Sequence, residues 1–76
     1  MVSMSQVKKG QSCVIREFDC EPRFISRLLS QGLTPGTKIE VKQAGFGRPV
    51  LILARETTLA LNSRDAKQIK VEVVDR

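Results

Sequence analysis

Two thiols and a short run of acids are the residues of this 76-residue chain whose types could do chemistry. Cys13 and Cys20 stand seven positions apart, which matches none of the short cysteine spacings that hold zinc. One reading makes Cys13 a small buried hydrophobe and Cys20 a loop or helix-start residue. The other gathers Glu17, Asp19, Cys20 and Glu21 ahead of a helix, where carboxylates and one thiolate could contact a divalent cation. Acidic residues before a helix are, however, already favoured by its dipole. The chain has no histidine, tyrosine or tryptophan, which removes any mechanism that needs an imidazole as base or ligand. No nucleophile paired with a base, no paired carboxylates in a defined cleft and no glycine-rich phosphate loop with its lysine is present. Neither catalysis nor a bound cofactor is expected.

The other conspicuous group is Phe46, carried with Arg48 in the stretch Gly45-Phe46-Gly47-Arg48-Pro49. Two glycines and a proline around one aromatic predict a loop at a hairpin tip. The ring either tucks back over the body of the domain or, with the arginine beside it, anchors a partner.

The element that must organise these positions spans residues 22–41. Phe24, Ile25, Leu28 and Leu29 recur at a spacing that sets apolar side chains on one helical stripe, with Arg23, Ser26, Arg27 and Ser30 on the other side. Pro22 suits the first helical position. Gly32 suits the left-handed residue after the end, and Leu33 is then expected to fold back over Leu28. Either Asp19 or Glu21 could cap the start. Thr34-Pro35-Gly36-Thr37 has the residue types of a type II turn, and from Lys38 the apolar period changes from helical to two, which predicts a strand over 38–44.

Around that passage the pattern predicts strands over 12–18, 50–54, 58–61 and 70–74, with a short helical turn within 62–68 capped by Asn62 or Ser63. The unbroken apolar run 50–54 predicts a central strand covered on both faces, and residues 1–5 are expected to fray. Five short strands with one inserted helix predict a mostly β single domain over 1–76, a small Src-homology-3-like (SH3-like) barrel whose closure leaves no unpaired edge. An oligonucleotide-binding fold is the second choice, since its helix normally comes later in the chain.

Thirteen Lys and Arg against eight Asp and Glu give a net charge of +5, which favours acidic partners. The cations are spread along the chain with no run longer than two, the distribution of an ordinary solvated surface. The apolar run 50–54 is far short of the roughly 20 residues that cross a bilayer. The opening residues lack signal-peptide organisation, so a cytoplasmic location is expected.

Leu28-Leu29-Ser30-Gln31-Gly32-Leu33-Thr34-Pro35-Gly36 resembles the leucine pair, Gly, apolar, x, Pro-Gly pattern of the ferrous iron transport protein A (FeoA) family. Gly47-Arg48-Pro49-Val50 is similar to that family's Gly-Asp-Pro-apolar loop, and Leu59-Ala60-Leu61, Ala66, Ile69 and Val71 resemble its closing segment. The likeness covers about residues 9–74. Arg48 stands where the family often has Asp, and Asn62 where a basic residue is common. The resemblance implies an SH3-like fold and a non-enzymatic cytoplasmic accessory of ferrous iron uptake. It further implies action on the membrane permease FeoB, through that protein's cytoplasmic GTP-binding part. Partner contacts are then expected from the helix, through Arg27 and Leu28, and from the loop, through Phe46 and Arg48. Two other classes stay open: a basic barrel that binds nucleic acid, disfavoured by the shortage of aromatic side chains for stacking, and a domain that binds a metal ion directly.

Overall fold

Alternation of apolar and polar residues, broken by turn residues every few positions, folds this chain into one antiparallel sheet of six strands in the spatial order β1-β6-β2-β3-β4-β5. The strands are β1 (Val2–Ser3), β2 (Ser12–Phe18), β3 (Lys38–Gln43), β4 (Val50–Ala54), β5 (Thr57–Leu61) and β6 (Ile69–Val74). Helix α1 (Pro22–Ser30) is inserted between β2 and β3, and a single turn, α2 (Ser63–Ala66), lies between β5 and β6. The structure is a computed structural model and describes residues 1–45 and 47–74. Its extents of 28, 26 and 24 Å are nearly equal, so the sheet is rolled rather than flat.

The inner face of the roll carries one core. Cys13 and Ile15 from β2, Ile39 and Val41 from β3, Ile52 from β4, and Ile69 and Val71 from β6 are all at most 1% exposed. These are the period-two positions of each strand, as half-buried strands require. On β4 the burial also alternates: Val50, Ile52 and Ala54 are buried while Leu51 and Leu53 are half-buried. The apolar run therefore marks a strand with one fully covered face, where cover on both faces was expected: Leu51 and Leu53 on the other face stay half-buried.

Two expectations about strand number and edges are corrected. Residues 2–3 are a sixth strand, with Val2 opposite Val71 and Ser3 opposite Lys70. A 3-10 turn at Met4–Gln6 follows, and Met4 is fully buried. The start of the chain is tied down because Met4 and Val7 complete the core, a need that periodicity over five residues does not reveal. Moreover, β1 and β5 end the strand order without pairing with each other, so rolling the sheet does not remove its edges.

The passage over residues 22–41 is built as its residue types demand. Pro22 opens α1 at the first helical turn. Glu21 occupies the N-cap position but makes no side-chain cap bond. At the other end the Leu33 N–H donates to Leu28 O at 2.9 Å and the Gly32 N–H to Leu29 O at 3.0 Å, with Gly32 at φ +89°. That bond pair is the Schellman motif. The Thr37 N–H closes the next turn on Thr34 O at 3.0 Å, with Gly36 at φ +93°. Two further bonds, Gly36 N–H to Ile15 O at 2.7 Å and Ile15 N–H to Thr37 O at 3.0 Å, pin this turn to β2. The helix C-terminus is thereby fixed against the sheet.

Candidate functional site

A docking surface needs exposed anchors on rigid supports, and two patches qualify by position. The first is the outer side of α1. Helical geometry puts Phe24 and Leu28 in one row and Ile25 and Leu29 in the next. The Schellman closure draws Leu28 inward, where it is 1% exposed, beside a fully buried Leu33. Leu29 is left at the rim, 43% exposed. The expectation that Leu28 anchors a partner is therefore corrected: its side chain belongs to the core. Leu29 is the residue that sequence reasoning missed. The signal was present, since a leucine assigned to contact Leu33 across the cap could not also face solvent. Arg23 and Arg27 are exposed on the same helix, and the Arg27 guanidinium lies 6.0 Å from the centroid of the half-buried Phe24 ring, within cation–π reach.

The second patch is the loop between β3 and β4. Its base is held by Gln43 Nε2, which donates to Pro49 O at 3.1 Å, and its turn by the Arg48 N–H, which donates to Gly45 O at 3.2 Å. Gly47 takes φ +75°, a left-handed conformation suited to glycine. Arg48 is exposed and lines an open groove of about 320 Å³ with Gly47, Pro49, Asn62 and Ser63. Asn62 Oδ1 accepts the Asp65 N–H at 2.8 Å and so caps α2 beside that groove. Phe46, expected here as an anchor, lies outside the described residues.

The four residues considered for a cation do not gather. Among the described residues, no group of three or more His, Cys, Asp or Glu side chains is placed to hold a metal ion. Glu17 sits opposite Lys70 in the β2–β6 ladder. The Asp19 N–H continues that ladder by donating to Gln68 O at 2.6 Å, while Glu21 starts the helix. Burial raises the thiol pKa of Cys20, and the nearby carboxylates of Asp19 and Asp65 raise it further. A thiol kept protonated is a poor metal ligand, because the thiolate is the binding form. Cys13, enclosed in the core, is pushed up to about 11 by burial, in keeping with its reading as a small hydrophobe. No described helix is long and apolar enough to cross a membrane.

The FeoA domain family matches residues 2–73. Among solved structures, FeoA from Chlorobium tepidum is 25% identical, with a TM-score of 0.89 over 97% of this chain and 71% of that one. Iron(II) transport protein A from Clostridium thermocellum is 28% identical, with a TM-score of 0.86 over 96% of this chain and 46% of that one. FeoA from Stenotrophomonas maltophilia, described as an SH3 domain protein and solved with zinc, is 23% identical, with a TM-score of 0.82 over 95% of this chain and 91% of that one. No curated protein matches. The match over nearly the whole length, on a rolled SH3-like sheet, places the chain in the FeoA domain family, an accessory family of ferrous iron transport.

Proposed function

We propose that this domain is a cytoplasmic adaptor of ferrous iron uptake that docks on the membrane permease FeoB, at its cytoplasmic GTP-binding part, and modulates it without chemistry of its own. Family membership over residues 2–73 is the observation that carries this reading. The molecule's surface supports it in kind. The exposed side of α1 offers Arg23 and Arg27 along one edge and Leu29 along the other, and the β3–β4 loop offers Arg48 on a stapled base. Such an arrangement suits an acidic, partly apolar face, with the arginines setting orientation and encounter rate. In a family that often has an acid at the loop position, Arg48 reverses one charge, and the partner surface it meets is expected to carry the complementary change.

Nucleic acid is the poorer reading. Base stacking needs exposed aromatic faces, and Phe18 and Phe24 are both packed against the core. Co-purification with the permease tests the proposal directly. Arg27→Ala with Arg48→Ala is expected to reduce the amount of permease retained severalfold while leaving the domain folded. Undiminished retention would reject this surface, and failure of the unaltered domain to retain any permease would reject the adaptor role.

A further inference from the structure

The free edge of β5 is the least guarded part of the molecule. Arg55 and Glu56 join β4 to β5 with φ +52° and +68°, and Ala54 pairs with Thr57 across them. A two-residue turn with both central φ positive makes that closing pair a hydrogen-bonded one. Bonded pairs then recur at Ile52 with Leu59 and Val50 with Leu61, and the unbonded pairs between them turn the N–H and C=O of Thr58 and Ala60 away from β4. Among the described residues, no loop backbone and no side chain hydrogen-bonds to those four groups.

Proteins usually protect such an edge with charge, proline, a bulge or brevity. β1, at the other end of the sheet, is only two residues long. β5 has the sequence Thr-Thr-Leu-Ala-Leu, keeps continuous register with β4, and exposes both Thr58 and Ala60. It carries none of the four protections.

We propose that β5 is the seam of a twofold-symmetric dimer of this chain, in which the β5 strands of two copies pair antiparallel about Leu59. The register follows from the free groups. Thr58 of each copy faces Ala60 of the other, giving four hydrogen bonds, and Leu59 meets its counterpart in an unbonded pair, where side chains approach most closely. The interface is isologous, as a twofold requires. The charges at the two ends of β5 select a second copy, whose own ends complement them. In the dimer the hairpin tip of one copy, with Arg55 and Glu56, approaches the start of α2 of the other, with Arg64 and Asp65. Each side then brings one cation and one anion. A seam of one short strand falls below the roughly 1,200 Å² of stable interfaces, so association is in the high micromolar range. It strengthens with salt, which screens the +5 charge of each copy.

Sedimentation equilibrium from about 10 µM to about 1 mM, with amide hydrogen exchange at both extremes, tests this. Ala60→Pro removes an outward N–H and leaves the β4–β5 ladder intact, and Thr58→Lys places a charge on the edge without touching the core. The unaltered domain is expected to dimerise with concentration and salt while the Thr58 and Ala60 amides gain protection. Both variants are expected to stay monomeric with unchanged melting temperature. A monomer at the highest concentration, or variants that dimerise like the unaltered domain, would overturn the proposal. So would edge amides protected only on adding the permease's cytoplasmic part, which would assign the edge to a strand of that partner.

Discussion

The helix-to-strand passage at residues 22–37 and the β4–β5 hairpin at 50–61 both reverse the chain with residues at positive φ, and they do so in opposite ways. In the first, the left-handed positions are Gly32 and Gly36, the residues for which that conformation is free of Cβ strain. In the second they are Arg55 and Glu56, for which a left-handed backbone costs about 1 kcal/mol or more each. Local residue types dictate the first reversal. The second is imposed by the sheet, since β4 must bury Val50, Ile52 and Ala54 while β5 pairs with it residue for residue. The passage therefore acts as a fixed platform that decides which leucine faces out, whereas the hairpin is held from outside and ends in an unguarded edge.

Breaking the platform from within has the largest expected effect. Leu28→Ala should lower unfolding free energy by about 3 kcal/mol in urea, as buried leucines do, whereas Leu29→Ala, at the rim, should cost under about 1 kcal/mol because nearly half of its surface is already wet. Equal losses at the two positions would mean that the cap does not sort them. The strand to which the platform is pinned has its own sensor in Cys13. Its folded pKa of about 11 lies above the ordinary 9.0, so the thiol contributes stability that is fully present below pH 9. As pH rises toward 11 the unfolded chain releases its proton first, and about 2–3 kcal/mol is lost. Cys13→Val should show a flatter stability profile over that window in chemical unfolding.

The hairpin responds to the opposite manipulation. Replacing Arg55 and Glu56 together by Asn and Gly, the pair suited to this turn, should raise stability by about 1–2 kcal/mol, read as a higher melting temperature. Gly36→Ala in the platform should lower it by about 1 kcal/mol. If both substitutions moved stability the same way, the two reversals would not differ as described. The smallest effect belongs to the bulge of β2, where Arg16 reaches Glu72 at 2.9 Å with both side chains about half exposed. Exposed pairs contribute little, so Arg16→Ala should change stability by under about 0.5 kcal/mol and less at high salt.

The sequence was most legible where residue type and backbone demand coincide. Pro22, Gly32, Leu33 and the Thr34-Pro35-Gly36-Thr37 turn all lie where their types place them, and the period-two strands followed at once. Residues 2–7 were missed because a two-residue strand and a single 3-10 turn are too short to show a period, and their order comes from Met4 and Val7 filling the core. The candidate site was harder to read, since exposure depends on rotation about the helix axis. Adjacent leucines of identical type differ from 1% to 43% exposed, and only the cap contact distinguishes them. The acids at 17, 19 and 21 are close in sequence, yet the strand end and the helix start separate them.

The exposed side of α1, and not the side that carries Leu28, is the face proposed to meet the partner. Titration of the purified cytoplasmic part of the permease with the domain carrying Arg27→Glu and Leu29→Ala together measures it most directly, with the melting temperature checked alongside. A weakening of at least about tenfold, about 1.4 kcal/mol, is expected with the fold intact. An affinity equal to that of the unaltered domain would contradict it.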